Sequence, residues 1–328
     1  YTTEKTVAWL GDYDGPAPYI TVADLVNPHN ICGWVGENAG PHEDVPLPPG
    51  VLLPPLPDNF ESADLEKRPR PVQYICCSHR RLSQAAQWSE TNYRHYLAAY
   101  YHYLERVDEE IGKILDALER RADAAETLLV FTADHGDGMA SHRMVTKQVS
   151  MYEETTHIPL FVVGPEALID GDRDAAQLVS LLDLLPTLCD FGGIEPPAGL
   201  WGRSLRPWLE SVQADSPHPY VASEWHTEWA FTTSPGRMIR TPQYKYTRYL
   251  EGDGEELYDI AKDRGETRTL VDDPDHAEVL HTHRRLLDDH VMTTQDPFFD
   301  LWWHADERWR SHPVGYQHHH GLSAPEVG

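Results

Sequence analysis

Two short apolar runs bracket a segment dense in acids and histidines, and this arrangement constrains the fold more than any other feature of the chain. Leu128-Leu129-Val130-Phe131 is apolar and partly β-branched or aromatic, the pattern of a strand covered on both faces. Ile158 to Val163 forms the second run and closes at Gly164-Pro165. Between them lie Asp134-His135-Gly136-Asp137, then His142, Lys147 and Tyr152-Glu153-Glu154. In open α/β sheets ligands gather beyond the carboxyl ends of strands, so the first polar cluster falls where a site is expected.

The flanking segments extend this pattern. Leu97, Tyr100, Leu104, Val107, Ile111, Ile114 and Leu118 recur at steps of three and four, which predicts a helix over 91–121. It runs into the Leu128 strand, the order of a parallel sheet with crossover helices. Its tyrosines, Tyr93, Tyr96, Tyr100, Tyr101 and Tyr103, are assigned to packing. Residues 18–25, PYITVADL, read as a strand with Asn27-Pro28-His29 at its end, and His29 is a candidate donor to an anion. Gln177 to Phe191 reads as a helix that Asp183 can cap and Gly192-Gly193 stops. From Pro217 the pattern changes to short strands at 219–226, 236–241, 243–250 and 256–259, followed by a helix over 275–290.

These residues resemble the sulfatases of the alkaline phosphatase superfamily. The resemblance rests on the ordered set Asp134-His135-Gly136-Asp137, His142, Lys147, Tyr152-Glu153-Glu154 and Ile158-Pro159-Leu160. Pro28-His29, Asp183-Leu-Leu-Pro-Thr-Leu, Gly202-Arg-Ser-Leu205, Arg240-Thr241-Pro242-Gln243-Tyr244-Lys245-Tyr246 and Glu256-Leu257-Tyr258-Asp259 add to it. It implies an α/β fold, a parallel-rich sheet flanked by helices, followed by a small C-terminal antiparallel α+β subdomain. The division expected is 1–215 for the later part of the catalytic domain and 216–328 for the subdomain and tail. It also implies a sulfuric ester hydrolase. Asp134 would be a metal ligand, with His135 beside it as a ligand or its support. Lys147 and His29 would bind the sulfate, and His142 would contact the leaving group, so that His29, Lys147 and His142 form the catalytic set. The metal implied is calcium, with magnesium the alternative, both hard cations suited to oxygen ligands. Asp137 is expected either to support the metal ligands from behind or to shape a turn, and Glu153 and Glu154 to shape the turn they stand in.

The resemblance has departures. The family's Cys-x-Pro-x-Arg signature, whose cysteine becomes formylglycine, is matched only superficially by Cys76-x-Ser78-x-Arg80, which follows His29 and lacks the Thr-Gly-Arg that usually comes next. His157 stands where many sulfatases carry arginine. No paired aspartates precede Tyr19. The expectation is therefore the C-terminal portion of a sulfatase, with the formylglycine and the remaining metal ligands outside this segment and the segment alone inactive.

Composition narrows the partners. The formal charge of -26 argues against a nucleic-acid backbone or an anionic membrane. No window approaches the roughly 18 apolar residues of a membrane span. The first twenty residues show no signal peptide, and Cys32, Cys76, Cys77 and Cys189 have no metal spacing. The proline-rich stretch 41–71 reads as a surface excursion, either shaping a cleft or acting as a spacer. It and the C-terminal subdomain resemble bacterial enzymes acting on sulfated carbohydrates, which makes a sulfated sugar or oligosaccharide the expected partner and the periplasm or exterior the implied location. Two alternatives remain open: a phosphodiester or phosphonate monoester hydrolase of the same superfamily, and an inactive carbohydrate-binding protein with this fold.

Overall fold

The computed structural model describes residues 1–16, 18–38, 52–61, 68–69, 71–72, 85, 88–147, 150–165, 169, 177–211, 216–225, 235–250 and 254–300. Cys76 to Arg80, most of the proline-rich excursion and the His318-His319-His320 triplet lie outside these residues. Among the described residues no helix is long and apolar enough to cross a membrane. The chain forms two compact units, each assembled from separated stretches. One comprises residues 1–30, 101–133 and 159–221; the other comprises residues 31–100, 134–158 and 222–328.

The first unit contains α1 (Thr2–Asp12) and, as β1 (Leu129–Thr132) and β2 (Leu160–Val163), the two apolar runs. It also takes the C-terminal part of a thirty-residue helix, Glu90–Glu119. β1 and β2 pair antiparallel, with Phe131 opposite Phe161. The parallel pairing expected from the helix-then-strand order is not formed between them. Parallel neighbours need a crossover element, whereas the described residues of 133–159 hold only a 3-10 turn at Ser141–Arg143 and the one-turn helix Glu153–Thr156. Nor are these strands covered on both faces, since Phe131 is 38% and Phe161 60% exposed. The predicted strand over 18–25 is irregular. Its Ile20 and Val22 face solvent.

The Gln177–Phe191 helix forms only from Leu184 to Phe191, after a 3-10 turn at Leu181–Asp183. Ser180 rather than Asp183 supplies the side-chain cap, and Asp183 closes the capping box from the other side. Asp183 is fully buried and accepts from the Arg203 amide at 2.8 Å and from His218 Nε2 at 2.9 Å. A buried carboxylate with four lone-pair directions needs this many donors, so Asp183 is a structural node of the unit.

The second unit contains the C-terminal sheet, in the order β3 (Val221–Trp225), β4 (Gly236–Arg240), β5 (Tyr244–Tyr249) and β6 (Glu255–Asp259). Strands β4 to β6 pair antiparallel, as the turn signals require. Helix Ala277–Thr294 buries Leu280, His283, Leu287 and Val291, at steps of three and four. A second core gathers around the first turns of the Glu90–Glu119 helix. There Trp88 and Phe60 meet the Tyr93 ring edge-on at 5.5 and 5.0 Å, and Tyr93 and Tyr96 have no exposed surface.

Candidate functional site

The segment from Asp134 to Ile158 belongs to the second unit, and it carries four of the five candidate residues. His29 belongs to the first unit. There it is exposed on the turn after the cis Asn27–Pro28 bond, and its amide donates to the Val26 carbonyl at 2.9 Å.

Local geometry explains the Asp-His-Gly sequence. A Cβ on Gly136 would lie 1.8 Å from the Glu154 carbonyl oxygen. Only glycine allows the two strands of the loop to approach so closely. That approach is what lets the Gly136 and Asp137 amides donate to the Thr155 and Glu154 carbonyls at 2.9 and 3.0 Å. Asp134 and His135 are thereby displayed on the rim, 88% and 42% exposed. The Asp134 carboxylate folds back to accept the His135 amide at 3.0 Å. His135 Nδ1 lies 2.7 Å from the Gly136 carbonyl, which can only accept, so the ring proton sits on Nδ1. Nε2 is left 3.5 Å from Asp134 Oδ2.

Two donors at that separation can both reach a cation at about 2.0–2.4 Å. The pair therefore fits part of a divalent-metal site, with its imidazole tautomer already fixed by the backbone. Among the described residues no group of three or more His, Cys, Asp or Glu converges, so this pair alone does not complete such a site.

Behind the rim the loop is buried and contorted. Met139, Ala140, His142, Arg143 and Thr146 all have positive φ, between 49° and 63°. Each non-glycine residue held there costs on the order of 1 kcal/mol, and such strain persists only where the surroundings over-determine it. Here the surroundings do. The Gly138 amide donates to the Thr146 carbonyl, the Ala140 amide to the Met144 carbonyl, and the His142 amide to the Asn59 carbonyl, all within 3.0 Å. The Tyr96 hydroxyl donates to Asp137 Oδ1 and accepts the Thr146 amide. Asp137 is 7% exposed. Burial pushes its carboxyl up, while the Tyr96 and Met139 hydrogen bonds and the charges of His135 and Lys147 act the other way. Lys147 follows directly and is half-buried.

His142 does not stand on the rim. It is 2% exposed, stacked on Tyr152 at 4.2 Å, with Arg68 donating toward Nδ1 at 3.4 Å and Asn59 Nδ2 3.5 Å from Nε2. Burial, then the Arg68 and Lys245 charges, hold its pKa well below the usual histidine value, so it is neutral at pH 7. Expected at the leaving group, it lies instead in the loop's interior.

A buried ionic cluster fastens the Tyr152-Glu153-Glu154 turn within the same unit. Lys245 Nζ, 1% exposed, lies 2.9 Å from Glu153 Oε1 and 3.0 Å from Glu266 Oε1. The Glu153 amide donates to Glu266 Oε2 at 2.6 Å. Burial pushes Glu266 up to about 7 despite the Lys245 charge. Burial acts the same way on Glu153, but there the His157 hydrogen bond and the Lys245 and Arg240 charges outweigh it and hold its carboxyl far below the usual range. Arg68 donates to Tyr152 Oη and to the Glu266 carbonyl, and Asn59 donates to Glu154 Oε1 at 2.7 Å. His157 is exposed and pairs with Glu153 at 3.3 Å.

Sequence reasoning missed Tyr96, Asn59 and Arg68. Only Tyr96 gave a signal, because a tyrosine one helical turn before Tyr100 of the apolar stripe must find a partner for its hydroxyl.

With this geometry in view, comparison with known proteins is informative. A family model described as Sulfatase matches residues 54–194, and one described as N-sulphoglucosamine sulphohydrolase, C-terminal, matches residues 140–292. The chain is 49% identical over 328 residues to a Delta 4,5-hexuronate-2-O-sulfatase of Bacteroides thetaiotaomicron, an alignment covering 99% of this chain and 67% of that protein. It is 32% identical over 206 residues to arylsulfatase K of Danio rerio, covering 61% of this chain and 38% of that one. A solved structure described as a 2-O GAG sulfatase superposes with a TM-score of 0.90 at 50% identity, over 98% of this chain and 69% of that one.

Proposed function

The chain belongs to the sulfatase family, and from that premise we propose that its whole protein hydrolyses a sulfate ester on a carbohydrate, the 2-O-sulfate of an unsaturated hexuronate being the first substrate to test. The observation that carries this reading is the 49% identity to the hexuronate sulfatase, spread over nearly the whole of this chain. The exposed Asp134–His135 pair, with Lys147 thirteen residues further on, supports it chemically.

In this reading Asp134 and His135 hold a divalent cation, calcium on the chemistry of the carboxylate and magnesium as the alternative. Bound there, the cation would stabilise negative charge on the sulfate oxygens. The formylglycine nucleophile of the family belongs to a part of the protein outside residues 1–328. Lys147 acts as a fixed point charge on the sulfate. His29, whose ring is solvent-accessible, donates to a sulfate oxygen or to the leaving oxygen. His142, held neutral with Nδ1 turned to Arg68, serves the loop in place of the leaving-group role that the family resemblance gave it. Turnover by this segment alone is not expected.

The test is sulfate release by the chain expressed within its complete reading frame. The expected result is turnover of an unsaturated 2-O-sulfated hexuronate disaccharide, with a phenyl phosphonate monoester hydrolysed far more slowly. Preference for the phosphonate would establish the superfamily alternative, and binding of the disaccharide without turnover would establish the inactive one.

A further inference from the structure

We propose that Tyr96 is a positioning residue whose single hydroxyl clamps the two ends of the strained loop and thereby fixes Lys147 with respect to Asp134 and His135. The inference rests on the sulfate-site reading above. It goes beyond that reading by assigning a function to a helix side chain that touches neither the sulfate nor the metal pair.

The argument is one of connectivity. The hydroxyl donates to Asp137, two residues beyond His135, and accepts the amide of Thr146, the residue before Lys147. One oxygen atom therefore bridges both necks of the loop. Asp137 Oδ1 in turn accepts the Met139 amide at 3.2 Å, so the clamp continues into the first left-handed residue. Tyr96 itself has no freedom to drift. It has no exposed surface, it sits in the regular helix Glu90–Glu119, and its ring packs against Trp34 and Trp88 at 6.4 and 6.1 Å between centroids.

The loop between the necks needs such a clamp. Five of its residues sit at positive φ without being glycine, so an unrestrained chain would relax toward ordinary backbone angles. Relaxation at Thr146 would swing the adjacent Lys147 side chain, and a displacement of about 1 Å in a charge that faces an anion weakens its effect considerably. Other bonds hold the middle of the loop, the His142 amide on the Asn59 carbonyl and the Tyr93 hydroxyl on the Arg143 carbonyl, whereas Tyr96 ties both of its necks to the helix.

The test uses the chain within its complete reading frame, loaded with Ca2+, and reads binding of inorganic sulfate by calorimetry beside hydrolysis of 4-nitrophenyl sulfate. Tyr96→Phe is expected to weaken sulfate binding and to lower kcat/KM by roughly tenfold. In a Lys147→Ala background the same substitution is expected to add no further loss, because its effect passes through the lysine. Losses that multiply independently in the two backgrounds overturn the proposal. So does a Tyr96→Phe protein that unfolds at lower temperature yet binds sulfate normally, which is what a merely structural tyrosine would give. Should Tyr96→Phe fail to fold, Asp137→Asn keeps the shape and an acceptor oxygen; it is expected to cost a few-fold, again only when Lys147 is present, and an equal loss without Lys147 overturns the clamp. Wild-type sulfate affinity in Lys147→Ala alone identifies a different failure, that of the sulfate-site reading, and removes the premise of the clamp with it.

Discussion

The rim and the interior of the Asp134–Ile158 segment make an instructive contrast. The rim residues Asp134 and His135 are open to solvent and held by short-range bonds to their own backbone. The interior residues Tyr96, Asp137, His142 and Tyr152 are buried and tied to stretches far away in sequence. The rim offers lone pairs and charge to a ligand; the interior holds a strained backbone in place. Both regions are rich in titratable groups, so residue type alone does not separate them. Burial does, as His135 and His142 illustrate with opposite environments seven positions apart.

Substitutions on the rim should damage chemistry and leave stability alone. Asp134→Ala is expected to have the largest effect, a loss of activity of at least about a thousandfold with little change in Tm, checked by steady-state kinetics beside thermal unfolding. Lys147→Ala should follow, lowering kcat/KM by roughly a hundredfold or more. An unchanged kcat/KM in either variant would break the distinction between rim and interior.

Substitutions of Gly136 and His142, behind the rim, should act mainly on stability. Gly136→Ala forces a Cβ to within 1.8 Å of the Glu154 carbonyl oxygen, so Tm should fall sharply, by the equivalent of about 3 kcal/mol, as measured by denaturant unfolding. His142→Gln sharpens the comparison through pH. His142 has a depressed pKa in the fold, so the unfolded chain binds its proton more readily and stability is lost as pH falls below about 6.5. The variant should lose that acid sensitivity while its pH–rate profile keeps the wild-type shape. A profile that loses its alkaline limb would return His142 to the leaving group.

Glu266 should show the opposite sign. Its folded pKa is raised to about 7. Between pH 4.5 and 7 the folded state therefore holds the proton more tightly, and stability falls as pH rises. Glu266→Gln mimics the protonated form, so its stability relative to the wild type should rise by up to about 3 kcal/mol across that interval. A difference independent of pH would mean that Glu266 is charged throughout.

How far the sequence could be read follows the same contrast. Asp134-His135 and Lys147 could be singled out because metal and anion chemistry calls for particular residue types in order, and the structure displays the first two on an exposed turn. The C-terminal strands were legible from alternation and turn residues, and β4, β5 and β6 form within one or two residues of the expected limits. The interior was not, because Asn59, Arg68 and Tyr96 are brought to the loop by long-range packing that no local pattern announces. The Leu129–Thr132 and Leu160–Val163 strands were located correctly, but their antiparallel pairing was missed. A short apolar run carries no record of its neighbour's direction.

The most direct test of the account is a calorimetric titration of Ca2+ into the chain expressed within its complete reading frame, wild type against Asp134→Ala. The account predicts one site in the wild type that disappears or weakens at least about a hundredfold in the variant, at unchanged Tm. Equal affinity in the two proteins would contradict it and remove the metal from the Asp134–His135 rim.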